Sequence, residues 1–290
     1  MEYFSDREAE PRPRMLEAIT EGAWAGLVGL IRQRVADGSF GLAFPDECQD
    51  RGPTVGTDWH MMQLALRGDL PDIELPLDPH TPPDTLSALD LLEFCYRHVA
   101  HAEEAGTHSY YRHAHLRFDQ AKGRVEFRQR VNTIFARHGI AFNITSAGRV
   151  ERLVNKPLQQ ALGARGTTGD DKLNDLLAAA ETKFLSPDPS TRLEALDSLW
   201  DAWERLKTVL PGSKKTSSRA LLDRLASEPE FRALLETEAR ELTRTGNTFN
   251  IRHSETSQIP LDRPEHADYL FHRLYSFIDL ALRSLPPDTE

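Results

Sequence analysis

The chain has 290 residues, with 35 Lys and Arg against 45 Asp and Glu, a formal charge of −10, and a composition that is 39% hydrophobic and 28% charged. That is a globular composition, which excludes collagen-like and low-complexity readings, and the length suits one large or two ordinary domains with their own cores. The only two cysteines, Cys48 and Cys95, exclude a disulfide scaffold and a multi-cysteine zinc ribbon. The start MEYFSDREAEPRPR lacks the apolar stretch of a secretory leader, and no run approaches the length of a membrane span. A soluble cytoplasmic protein without a membrane partner is therefore expected. The acidity argues against a generic nucleic-acid coat.

In chain order, Ile19, Ala23, Leu27, Leu30, Ile31 and Val35 predict a helix over Glu17–Ala36, stopped at Gly38. Phe40–Trp59, with Pro45, Gly52, Pro53 and Gly56, reads as a loop. A short helix is expected over Asp58–Arg67, an extended proline-rich stretch over Pro71–Pro83, and a helix from about Asp84 to Glu104. HSYYRHAHLRFD reads as a short strand, followed by a turn at Asp119–Gly123 and a helix over Arg124–Arg137. Ile140, Phe142 and Ile144 alternate across Ser146-Ala147-Gly148 toward Val150 and Leu153, a hairpin signal. Helix plus hairpin makes a winged-helix-like unit at about 108–155. Leu162–Asp171 is the best linker candidate, separating a domain at 1–161 from one at 170–285. The second domain reads as an antiparallel bundle of five helices, the third capped by Ser217 or Ser218 and the last carrying Ala267, Leu270, Phe271, Leu274, Phe277 and Ile278. The fold class is mostly α with a small hairpin, α+β.

Chemistry concentrates in three places. Between Tyr110 and Arg152 stand nine Lys or Arg against three acids, with Tyr110, Tyr111 and Phe118 interleaved. Arg112, Arg117, Lys122, Arg124, Arg128 and Arg130 are the nucleic-acid candidates of this island. Alternatively, the island is a solvated face that balances the acidic bundle. His98 and His101 share a helix face in this reading, and His113 and His115 share a strand face. Without HExxH or paired CxxC they carry only a weak metal signal, so neither metal nor cofactor is expected. Cys95, between Phe94 and Tyr96, reads as core. No Walker A, GxGxxG or GxSxG sequence occurs, which removes the common ATPase, dehydrogenase and hydrolase readings. The third place is RTGNTFNIRHSE, Arg244–Glu255, where Arg244, Asn247, Asn250, Arg252, His253 and Glu255 crowd one span. A histidine can move a proton at neutral pH, and a neighbouring Arg can stabilise a pentacovalent phosphate. The competing reading is a polar helix end whose Arg and His satisfy carbonyls and pair with acids of the bundle.

YFSDREAEPRPR, GAWAGLVGLI, DGSFGLAFPDECQD, GTDWHM and HSYYRHAHLRFD with EFRQRVNTIFARHGIAFNI together resemble the AbiJ-type N-terminal domain of bacterial abortive-infection proteins, over most of residues 3–153. The helical remainder resembles a HEPN domain. That resemblance implies a bundle acting as a homodimer, a metal-independent endoribonuclease attacking through the ribose 2′-hydroxyl, an RNA substrate, and a phage trigger or immune partner. It implies an active site at a helix end, where NTFNIRH stands. HEPN nucleases carry Arg four to six residues before the His. Here those positions are Gly246, Asn247 and Thr248. Either Arg252 or Arg244 supplies the guanidinium beside His253, with Asn247 positioning phosphate, or the domain only binds RNA or a partner. An acid on an earlier helix often faces the motif in that family, and Glu204 is the candidate.

Overall fold

The computed structural model describes residues 12–50, 52, 54–249, 251 and 259–285. Contacts divide the chain into Met1–Leu153 and Val154–Glu290. Among the described residues the architecture is mostly helical with three small antiparallel strand pairs, and no helix is long and apolar enough to cross a membrane.

The first unit runs α1 (Glu21–Ala36), β1 (Pro45–Glu47), β2 (Thr54–Thr57), α2 (Trp59–Asp69), α3 (Thr85–His98), β3 (His101–His108), β4 (His113–Asp119), α4 (Gln120–Arg137), β5 (Phe142–Ile144) and β6 (Val150–Arg152). Thr20, Asp58, Asp84 and Asp119 each cap a helix by accepting a backbone N–H with the side chain. One core joins Trp24, Leu27 and Ile31 of α1 to Leu91, Leu92 and Cys95 of α3 and to Phe127, Val131 and Phe135 of α4. The proline-rich stretch is non-helical, running through turns and bends, and is tied to α1, because Trp24 Nε1 donates to the Asp78 carbonyl at 2.7 Å. The hairpin β5–β6 is held to α4 by Asn132, which donates to the Ile144 carbonyl and accepts from its N–H.

Four local expectations need correcting. The span Phe40–Trp59 contains the pair β1–β2 rather than only loop. The helix from Asp84 ends at His98, and the chain turns directly into β3. Gly123 permits this, since a Cβ there would stand 2.3 Å from the Ala100 carbonyl carbon. The expected short strand is one arm of a hairpin, β3–β4, and Asp119–Gly123 is the cap and first turn of α4. In the second unit, Ser213 caps the helix assigned to Ser217 or Ser218, while Ser217 is buried and accepts the Leu210 N–H at 3.1 Å.

The second unit runs α5 (Lys156–Gly163), α6 (Asp171–Phe184), α7 (Pro189–Leu206), α8 (Lys214–Leu225), α9 (Pro229–Thr248) and α10 (Pro264–Leu282). Its core stacks Phe184 on Phe271 with ring centres 3.7 Å apart and buries Trp200, Trp203 and Leu274. Leu158 of α5 belongs to this core. The Gly- and Thr-rich stretch before α6 is fastened from within: Thr168 exchanges hydrogen bonds with Asn174, and Asp170 both caps α6 and pairs with Arg205 at 2.7 Å.

Candidate functional site

In the second unit, α9 buries Leu235, Leu242, Thr245 and Gly246 and leaves Arg244 and Asn247 exposed on its final turns. Gly246 lies against Trp200, whose Nε1 donates to the Leu242 carbonyl at 3.0 Å. A Cβ at Gly246 would stand 2.2 Å from the Trp200 ring. Of the three positions where a HEPN arginine is expected, Gly246 is therefore closed to any side chain. Arg244 pairs with Glu241 at 2.8 Å. Arg252 and His253 lie outside the described residues. The chain on either side of them is fixed beside the helix end, since the Ile259 N–H donates to the Thr248 carbonyl at 3.1 Å.

Glu204, on α7, accepts from Lys207 and Lys214, each at 2.5 Å. Burial opposes its ionisation, but the two lysines outweigh that and hold its carboxyl below the ordinary range. Lys207 also donates to Thr243 Oγ1 of α9 at 3.2 Å, which links Glu204 to the turn that carries Arg244.

Between α8 and α9 runs a cleft of about 710 Å³ whose lining includes Lys207, Lys214, Lys215, Arg219, Arg232 and Arg240. Glu204, Asp223 and Glu236 pair with four of these cations. No described acid lies within ion-pair distance of Lys215 or Arg219. Along α9 the cleft uses positions 236, 240 and 243, and Asn247 continues that face by one turn. Sequence reasoning missed this cleft. Its cations come from α8, α9 and the residue that follows α7, and only α8 is basic along its own length. The detectable signal was Lys214, Lys215, Ser218 and Arg219 at helical spacing.

The basic island of the first unit is distributed over several surfaces. Arg117 and Lys122 converge on Glu103 at 2.9 and 3.2 Å, holding its carboxyl below the usual range. Arg124 donates to the Arg97 carbonyl and lies over the Tyr96 ring. Arg112 sits in the β3–β4 turn with a left-handed φ of 56°. Arg152 is buried against Glu17 at 3.0 Å. Arg128 and Arg130 line an open depression of about 850 Å³ with Arg14, Arg34 and Arg137.

The histidines sort differently from the sequence expectation. His98 ends α3 with its ring on Phe44 and Phe94, and His101, in β3, pairs with Glu126 at 3.0 Å. They do not share a helix face. His113 and His115 do share a face of β4, and His108 joins them because β3–β4 register sets it directly opposite His113. Cys48, which follows β1, completes a cluster in which the four donor atoms lie within 4.8 Å of one another. Cys48 Sγ is 3.4 Å from His108 Nδ1 and 3.3 Å from His113 Nε2. The three imidazole centres are 5.4, 5.5 and 5.7 Å apart. Of this set the sequence pairing held only His113 and His115, because Cys48 is distant in the chain and His108 reaches them only across the β3–β4 turn. Cys95 is buried in the core, where loss of solvation raises its thiol pKa.

A family model described as AbiJ N-terminal domain 4 matches residues 2–163. No curated protein and no solved structure gives a significant match.

Proposed function

This chain belongs to the AbiJ N-terminal domain 4 family, a family of abortive-infection proteins, and from that premise we propose that it is a phage-defence effector whose C-terminal bundle is a HEPN-class, metal-independent endoribonuclease. The observation that carries the reading is the cationic cleft between α8 and α9, which leads along one face of α9 to Asn247. A strand of RNA lying in that cleft meets Lys215 and Arg219 first and reaches the helix end where Arg244, Asn247, Arg252 and His253 gather in sequence.

The reaction needs only these side chains. The ribose 2′-oxygen attacks phosphorus, the bond to the 5′-oxygen breaks, and the products are a 2′,3′-cyclic phosphate and a 5′-hydroxyl. His253 takes the 2′-hydroxyl proton or gives one to the leaving 5′-oxygen, and solvent carries the other transfer. Arg252, with Arg244, stabilises the dianionic phosphorane, and one such contact is worth about 10²–10³ in rate. Glu204 holds Lys207 and Lys214 at the cleft wall. The first unit, with Arg112, Arg117, Lys122, Arg124, Arg128 and Arg130, senses a trigger or partner or extends RNA contact. The active species is a homodimer in the cytoplasm.

A second reading has its own observation. With Gly246 locked under Trp200 and Asn247 at the five-residue spacing, the arginine of the HEPN pattern is displaced. A bundle of this kind that binds RNA or a partner without cutting is the alternative. The test is a cleavage assay on the purified full chain in magnesium-free buffer. Cleavage by wild type that vanishes in His253→Ala and Arg252→Ala supports the nuclease. Salt-dependent RNA binding without product supports the binding protein.

A further inference from the structure

We propose that Cys48, His108, His113 and His115 form a closed tetrahedral zinc site that fastens the β1–β2 segment to the β3–β4 hairpin. The distances carry the argument. Donors bound at about 2.0–2.3 Å to one tetrahedral ion stand about 3.3–3.6 Å apart. The thiol sulfur lies 3.4 and 3.3 Å from two imidazole nitrogens, and all four donor atoms fall within one 4.8 Å sphere of mutual distances. The three rings are nearly equidistant, at 5.4, 5.5 and 5.7 Å, as three imidazoles around a shared point must be.

Two further observations point the same way. His115 Nε2 is buried without a hydrogen-bond partner among the described residues, a condition that ordinary packing avoids. His108 uses its two nitrogens for different tasks. Nδ1 faces the sulfur, while Nε2 lies 3.2 Å from the Asp50 carboxylate. A carboxylate on the far nitrogen fixes the tautomer and raises ligand basicity, which is the usual arrangement behind a metal-bound histidine. Tyr111 donates to the same carboxylate at 3.5 Å and stacks its ring on His113, the planes 4° apart. The charges also balance. The Cys48 thiol loses its proton to solvent on binding, so thiolate, three neutral imidazoles and Zn²⁺ carry one positive charge, and Asp50 stands beside it.

The donor set selects the ion and its role. One thiolate and three imidazoles suit a borderline-soft, tetrahedral ion, and hard oxygen-seeking cations are excluded. Four protein donors leave no coordination position for water or substrate, so the site is structural. It joins Cys48 to a hairpin whose first ligand, His108, is 60 residues further along the chain. The exposed tip of that hairpin carries Tyr110, Tyr111 and Arg112, so the ion would also fix the surface these residues present.

The test uses the purified full chain, stripped of metal and titrated with zinc alone. Elemental analysis after dialysis should return one zinc per chain in wild type and in Cys95→Ser. Cys48→Ser and His113→Ala should retain less than a tenth of that. Because those variants risk misfolding, wild type is also loaded with Co²⁺. The expected spectrum has a thiolate-to-cobalt charge-transfer band and the intense visible bands of a tetrahedral ion, both abolished by stoichiometric zinc. A wild-type chain that holds no zinc and gives no thiolate–cobalt band would overturn the proposal. So would full zinc retention in folded Cys48→Ser.

Discussion

The two units bring their chemistry together in opposite ways. In the first, Cys48, His108, His113 and His115 come from three segments and converge only because β-hairpin register and a short strand pair place them. In the second, the cleft is built from faces of consecutive helices, each set by local 3.6-residue spacing, and the interest lies in charge rather than ligation. As the proposed zinc site, the first arrangement would fail all at once when one ligand is lost. As the proposed RNA cleft, the second would lose binding in graded steps, one charge at a time.

The largest effects therefore belong to the first unit. Cys48→Ser or His113→Ala should cost on the order of several kcal/mol of unfolding free energy in that unit, read by thermal or urea denaturation with zinc present. The same variants should leave the denaturation of the second unit unmoved. Equal loss in both units would erase the contrast.

A paired test sharpens the second unit. Gly246→Arg forces a side chain into Trp200 and should destabilise the bundle by about 3 kcal/mol, measured by urea denaturation. Asn247→Arg, one residue on and exposed, should move the midpoint far less. It places a guanidinium at the five-residue spacing from His253, so RNA cleavage should rise about tenfold or more. A neutral Gly246→Arg would remove the packing argument, and an Asn247→Arg chain slower than wild type would remove the spacing argument.

Charge reversal in the cleft comes next. Lys215→Glu with Arg219→Glu should weaken RNA binding and lower the slope of log affinity against log salt by about 1 to 2, without moving the denaturation midpoint. The smallest effect is a helix cap. Asp188 accepts from Ser190 and Thr191 at the start of α7, and the Ser190 hydroxyl, more than burial opposes it, draws the carboxyl down to about 2. Its folded-state pKa lies below the unfolded one, so its contribution is full above about pH 4 and fades as pH falls toward 2. Asp188→Ala should cost about 1 kcal/mol at neutral pH and nothing further at the acid end.

Much of this was legible in the sequence where information is local. The stripe from Ala267 to Ile278 fixed α10, and Asp58 and Asp84 announced their helices. The helix at Asp84 was read too long because Arg97-His98-Val99-Ala100 holds no breaker. Val99 turns extended into β3, and the close backbone approach this needs is open only because position 123, in the next helix, is glycine. Ser217 looked like a cap because serines favour caps, yet burial beneath Leu210 decides its place. The Cys48 cluster was illegible for the same reason on a larger scale, since register rather than spacing brings its members together. The shared face of His113 and His115 was legible because strand alternation is local.

The most direct measurement follows full-length protein and a 5′-labelled RNA in magnesium-free buffer, wild type beside His253→Ala, with the product ends identified. The account predicts products ending in 2′,3′-cyclic phosphate from wild type and none from His253→Ala at equal folded fraction. Undiminished cleavage by His253→Ala, or products ending in 3′-hydroxyl, would contradict it.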